Sequence, residues 1–191
     1  MFSRSFRKQN KEIKTEIGSL LIAQPFWQDE KYKRSVILLL ESDEKGRTGI
    51  ILNKQTNLCL FDVIPELELG LPLYYGGPFD TRIISFVHSD PHIPDSVFLG
   101  NDLFYGGNFE YLHENIRNKN ISLQKIKFYA GFVQWNCGQL ESELSENKWW
   151  TGEINAQEFF TASADELWTY ELLSNGHIYG MMNEFPDPGI N

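Results

Sequence analysis

Side chains able to do chemistry crowd into one stretch, Gly131 to Trp150, which reads GFVQWNCGQLESELSENKWW. It holds three of the five tryptophans and one of the two cysteines, with Gln139, Glu141 and Glu143 close behind Trp135. The pattern is a strand running into a helix: Ile126, Phe128 and Ala130 alternate with Lys127, Tyr129 and Gly131, and Leu140 and Leu144 then fall four apart. Asn136 stands where an N-cap belongs, with Gln139 at the offset of a capping box. In that frame Cys137 lies in the first helical turn, where the dipole favours a reactive thiolate, and a redox-sensing role follows. The competing reading is a small residue filling a tight strand-to-helix turn, inert through burial. Glu141 and Glu143 are two apart, which on a helix points them in different directions and argues against an acid–base pair.

Two further groups share the capacity to hold a ligand. Asn53 and Gln139 each donate and accept hydrogen bonds, and beside Trp135 they would form the polar points of a pocket. As architecture, Asn53 would instead bond nearby backbone and Gln139 would complete a cap. Gly76 and Gly77, followed by Pro78, would present successive amides as an anion nest, or simply make a sharp bend in which glycine supplies unusual dihedrals. Other chemistries lack their signatures. There is no Gly-x-Ser-x-Gly elbow, so Ser35 would be a nucleophile without its usual setting, and it reads as a surface or backbone-bonding hydroxyl. His88 and His92 are four apart, but Pro91 and Pro94 oppose a helix there and the zincin glutamate is missing. Neither P-loop nor Rossmann glycine spacing occurs, and nothing in the sequence calls for a metal or cofactor.

Charge narrows the partners. The chain of 191 residues carries −9 overall, yet residues 1–14 hold five basic residues against Glu12 alone, a local +4. The rest has 12 basic and 25 acidic residues, a net −13. A body that acidic repels phosphate backbones and argues against direct DNA binding. The longest purely apolar run is Val36 to Leu40, far short of the roughly 20 residues of a spanning helix. With no apolar stretch after the basic lead and only Cys59 and Cys137, the chain reads as a cytoplasmic protein without a disulfide framework. Partners are then an unidentified protein or small molecule; Trp135, Trp149, Trp150 and Trp168 are candidates for a recognition surface, or for core.

The elements that must position these residues read as follows. Residues 1–16 form a charged, frayed or loosely helical lead, and residues 17–191 a single domain. GSLLIAQPF is a first strand closed by Pro25, and VILLLE, apolar in succession, is a strand covered on both faces. A turn at SDEKGR returns the chain through TGIILNK as a hairpin. Phe61, Ile64 and Leu67 give a short helical piece limited by Pro65. Strands at Leu73 to Tyr75 and Ile83 to Val87 flank the Gly76–Pro78 bend, and SVFLGN adds another. Asn108 to Arg117 is an amphipathic helix with Phe109, Leu112 and Ile116 on one face. Trp149 to Ile154 is a short strand, and Ser163 with Glu166 opens a helix running to Leu173, with Gly176 placed to end it. Strands dominate early and helices enter late, which implies α+β with a mixed, largely antiparallel sheet.

Four patterns in order, Arg34-Ser35-Val36, Gly49-Ile50-Ile51-Leu52-Asn53, Gly76-Gly77-Pro78, and Trp135 with Gly138-Gln139-Leu140-Glu141, resemble the YqgE/AlgH family. The likeness runs from about Gly18 to Asn191, including Asp187-Pro188 near the end. It implies a branched sheet curling into a partial barrel and flanked by helices, a family label of transcriptional regulator, and no established catalytic residue. Cys137 departs from the residue the family usually places before Gly-Gln. Three function classes remain open: the first is a non-enzymatic binding or regulatory module, and the second an enzyme or former enzyme with a pocket near Asn53, Gly76 to Pro78 and Gln139. A DNA-binding regulator is the third.

Overall fold

The computed structural model describes residues 15–27, 29–44 and 46–174. The predicted lead, apart from residues 15 and 16, the helix stop at Gly176 and the closing Asp187-Pro188 lie outside them. Among the described residues ten strands form one sheet: β1 (Leu20–Ala23), β2 (Val36–Asp43), β3 (Gly46–Ile51), β4 (Gln55–Cys59), β5 (Pro72–Tyr75), β6 (Phe79–His88), β7 (Val97–Gly100), β8 (Leu103–Tyr105), β9 (Ile126–Asn136) and β10 (Trp149–Gly152). Five helices accompany them: α1 (Leu60–Val63), α2 (Phe109–Arg117), α3 (Gln139–Ser145), α4 (Ala156–Thr161) and α5 (Ala164–Ser174).

The main path runs β10-β1-β2-β3-β9-β6-β8-β7, with free ends, so the sheet curls without closing. Every pairing is antiparallel except β5 with β9. β9 is the branch. Along one edge its C-terminal half pairs with β3 (Gly49↔Val133 to Gly46↔Asn136), while its N-terminal half pairs with β5 (Leu73↔Phe128 to Tyr75↔Ala130). The handover falls at Gly131, whose φ of +75° disfavours any side chain. A Cβ there would stand 2.5 Å from the Gly77 carbonyl oxygen, and one on Gly76 would stand 2.2 Å from that of Gly131. The two glycine-bearing segments pass so closely that only backbone fits. The Gly76 amide donates to Ala130 O and its carbonyl accepts from Ile51 N, each at 2.8 Å, which locks the crossing.

Three apolar cores among the described residues follow from this geometry. β2 is buried on both faces, as its unbroken apolar run predicts: Val36, Leu38 and Leu40 join a core shared with α4 and α5, while Ile37 and Leu39 join one covered by α3. A third core gathers Phe86, Phe128, Leu112 and Ile116 beneath α2. The β2–β3 hairpin forms as expected, and Asn108 caps α2 by accepting from Tyr111 N at 2.8 Å. Phe109, placed on the apolar face by spacing, is 39% exposed, because the first turn of α2 overhangs that core.

Several elements escape the sequence pattern. β4 has a mostly exposed sequence, QTNLC, and exists because β5 offers it an edge. β8 is three residues long, and α4 carries a capping box, Asn155 with Glu158, in a stretch to which the sequence pattern assigns no element. The first strand is shorter than GSLLIAQPF, since Gln24 N bonds Lys148 O and the chain turns at Pro25.

Candidate functional site

At the end of β9 the chain turns through Cys137 and Gly138 into α3, and Gly138, in the left-handed region with φ 75°, is the N-cap. Asn136 is therefore still strand, which corrects its predicted capping role. Cys137 lies in the turn before the helix, exposed, so the expected first-turn placement of its thiol does not hold. Gln139 does perform half of a capping box: its Oε1 accepts from Asn136 N at 3.1 Å.

The centre of this corner is Glu143. Its Oε2 accepts from Trp135 Nε1 at 2.9 Å and from Trp149 Nε1 at 2.8 Å, and its Oε1 accepts from Gln139 Nε2 at 3.0 Å. An indole N–H can only donate, and both rings are almost fully buried, so one carboxylate discharges two obligations that folding would otherwise leave unmet. The signal was legible in part: Gln139 and Glu143 are one helical turn apart, and buried tryptophans demand an acceptor. Glu141 points elsewhere and forms an exposed ion pair with Arg47 Nη2 at 2.8 Å, tying α3 to β3. The two glutamates diverge as their spacing predicts.

Aromatic rings pack around the clamp. Trp27 meets Trp149 edge-on at 4.6 Å and stacks on Tyr32 at 5.5 Å, while Trp135 and Trp149 are 6.2 Å apart. Burial, then Asp29 and Glu143, push the Tyr32 phenol up to about 12, so it remains a neutral hydroxyl. Burial also lowers the Lys54 ammonium, which donates to Lys31 O.

The remaining predicted residues approach this cluster without forming a pocket. Ile51, two residues before Asn53, bonds Gly76, and Tyr75 packs on the same core as Trp135 and Trp149. Yet the Asn53 side chain is spent on backbone: Oδ1 accepts from Val36 N and Nδ2 donates to Arg34 O, both at 2.8 Å. That pair of bonds holds Arg34, in the left-handed region at φ 53°, where β2 begins. Gly76 and Gly77 form the branch crossing, and with the Gly76 amide taken by Ala130 O the anion nest is not available. Ser35 is fully buried, not a surface group, because β1 and β3 enclose the start of β2. Trp135, Trp149 and Trp168 are core, with Trp168 donating to Ala23 O at 2.8 Å.

His88 is buried and holds a different network. Asp90 N donates to its Nδ1 at 3.2 Å, so the proton sits on Nε2 and is donated to Gly106 O at 3.0 Å. Ser96 Oγ lies 3.1 Å from Nε2 but donates to Ile93 O at 2.8 Å. With Nε2 protonated, the imidazole cannot take a proton from Ser96, and the pair is a brace and not an activated nucleophile. His92 faces solvent beside Asp90, and no group of three metal-ligating side chains occurs among the described residues.

A depression lies elsewhere, between α4 and the ends of β6 and β8. It is a groove of about 810 Å³ with Pro91, Phe104, Ala156 and Phe160 as its apolar lining and Ser89, Asp102, Lys125 and Gln157 among its polar residues. Nothing in the sequence pattern marked it, because its walls are a turn, two strand ends and a helix that only the tertiary fold brings together.

The curled, branched sheet and its glycine crossing define an α+β protein of the AlgH type. A family profile described as AlgH-like matches residues 20–179, and the chain belongs to that family. It is 33% identical over 195 residues to a UPF0301 protein of Parabacteroides distasonis, covering all of this chain and 98% of that protein. A UPF0301 protein of Cytophaga hutchinsonii is 33% identical over 178 residues, covering 91% of this chain and 98% of the relative. The solution structure of the AlgH protein from Pseudomonas aeruginosa superposes with a TM-score of 0.71 at 23% identity, covering 95% of this chain and all of that one. An X-ray structure of a Corynebacterium diphtheriae protein gives 0.72 at 23% identity, over 93% and 91% of the two chains. These solved structures share the fold. No helix among the described residues is long and apolar enough to cross a membrane.

Proposed function

We propose that this chain works by association, as a non-catalytic cytoplasmic binding or regulatory module whose contacts are with protein or small ligands, and that any effect on transcription is indirect. One observation carries the reading: the polar groups that a pocket near Asn53, Gly76 and Gln139 would use are already bonded to backbone or to one another. Making them available to a substrate would break the supports of β2, the branch and α3. The groove beside α4 is the surface better suited to a partner, since both apolar and polar side chains line it. The net −13 of residues 15–191 supports indirect action on DNA.

The test is native mass spectrometry of complexes captured from cytosol by the wild-type chain and by Phe160→Glu, which places a charge in the groove. A partner or ligand retained by the wild type and lost in the folded variant is expected. Equal capture by both, or salt-sensitive retention of the wild type on duplex DNA, would overturn the proposal.

A further inference from the structure

Lys127, on β9, is a cation without a carboxylate partner among the described residues. Its Nζ donates to Phe159 O at 2.8 Å and lies 5.0 Å from the Phe159 ring centroid and 5.6 Å from that of Tyr74. Tyr129 is two residues further along the strand and so on the same face, and its ring is 5.5 Å from that of Tyr74. The Tyr129 hydroxyl is fully buried and has no hydrogen-bond partner among the described residues. An unpaired cation and the ring of an orphaned donor thus meet the same Tyr74 ring. A buried hydroxyl without an acceptor is costly, and a native fold seldom keeps one without cause.

We propose that Lys127 is a site of reversible carbamate formation with dissolved carbon dioxide, the new carboxylate supplying the acceptor that the Tyr129 hydroxyl lacks. The neutral amine attacks the carbon of CO2, a C–N bond forms, one C=O electron pair moves to oxygen, and a proton leaves nitrogen for solvent. The product nitrogen keeps one N–H for Phe159 O. Carbon dioxide suits the position because it is small, uncharged and able to enter a half-buried, ring-lined place that bicarbonate would enter only by shedding its hydration. Burial brings the Lys127 ammonium down to about 8. Roughly a tenth is then neutral at pH 7, against well under a thousandth for an ordinary lysine. The step exchanges a cation for an anion on the face of the core shared with α4, a change of the kind that alters how a surface associates.

The experiment incubates the full chain with 13C-labelled CO2 and bicarbonate at pH 7 and pH 8, traps carbamates by ethylation with a trialkyloxonium salt, and maps the label by peptide mass spectrometry. Label on Lys127 is expected, greater at pH 8, and at least tenfold above exposed Lys119 and Lys125. Tyr129→Phe should lower it roughly tenfold, the worth of one hydrogen bond to a charged group. Lys127→Arg should remove it, and if that variant does not fold the wild-type map still decides. Label on Lys127 no greater than on the exposed lysines, or unchanged in Tyr129→Phe, would overturn the proposal.

Discussion

Replacing Glu143 by alanine tests whether the strand-to-helix corner is held by one carboxylate. The substitution leaves Trp135 Nε1 and Trp149 Nε1 without their acceptor, and these rings are 2% and 3% exposed. An orphaned buried donor costs about 1–3 kcal/mol, and because Glu143 itself is only half-buried, water entering its place should hold each near the lower end. Two such donors give a loss of about 2–3 kcal/mol. With a urea m-value of about 2–3 kcal/mol/M for a domain of this size, the midpoint should fall by roughly 1 M at unchanged m. Glu143→Gln separates hydrogen bonding from packing: its carbonyl oxygen can still serve both indoles, but its amide then confronts the Gln139 amide. That loss should be about 1 kcal/mol. Equilibrium unfolding followed by tryptophan fluorescence reads both variants. A loss under about 0.5 kcal/mol for alanine, or glutamine as damaging as alanine, would refute the clamp.

Gly76→Ala should cost more than about 3 kcal/mol or abolish folding, since its Cβ would stand 2.2 Å from Gly131 O, whereas Gly138→Ala meets open space and should cost only about 1–2 kcal/mol of left-handed strain; thermal melts of the pair decide. Asn53→Ala orphans Val36 N and Arg34 O and should lower stability by about 1–3 kcal/mol, measured by urea titration. Burial lowers the His88 imidazole below its usual value, so between about pH 6.5 and that folded value the unfolded chain binds the extra proton and stability is lost as the pH is lowered. The pH 7.5 to 5.5 change in urea midpoint should be smaller in His88→Gln than in the wild type. Exposed Cys137 should react with a disulfide reagent well before Cys59, which is partly covered and donates to Asp62 Oδ2 at 3.2 Å.

Local pattern carried the elements whose own residues enforce them. The apolar run of β2, the alternation opening β9, the capped helix after Asn108 and the bend at Gly76–Pro78 are readable because burial period, capping and dihedral freedom act over a few residues. β4, β8 and α4 are not, for their stability comes from an edge or a core made by distant parts of the chain. Gly131 shows the boundary. Its sequence neighbourhood continues a regular strand, yet β9 changes its neighbour there because β3 and β5 must share one of its edges.

The amino-acid sequence by itself determined an acidic α+β domain, its family likeness, and the costly composition of the corner around Trp135. Only tertiary structure decided that Glu143 joins two indoles, that Asn53 and Gly76 are already engaged, that the groove lies beside α4, and that Lys127 and the ring of Tyr129 meet the same Tyr74 ring. Periodicity and caps are one-dimensional, whereas hydrogen-bond satisfaction and charge pairing depend on which remote side chains the folded sheet brings within about 3 Å.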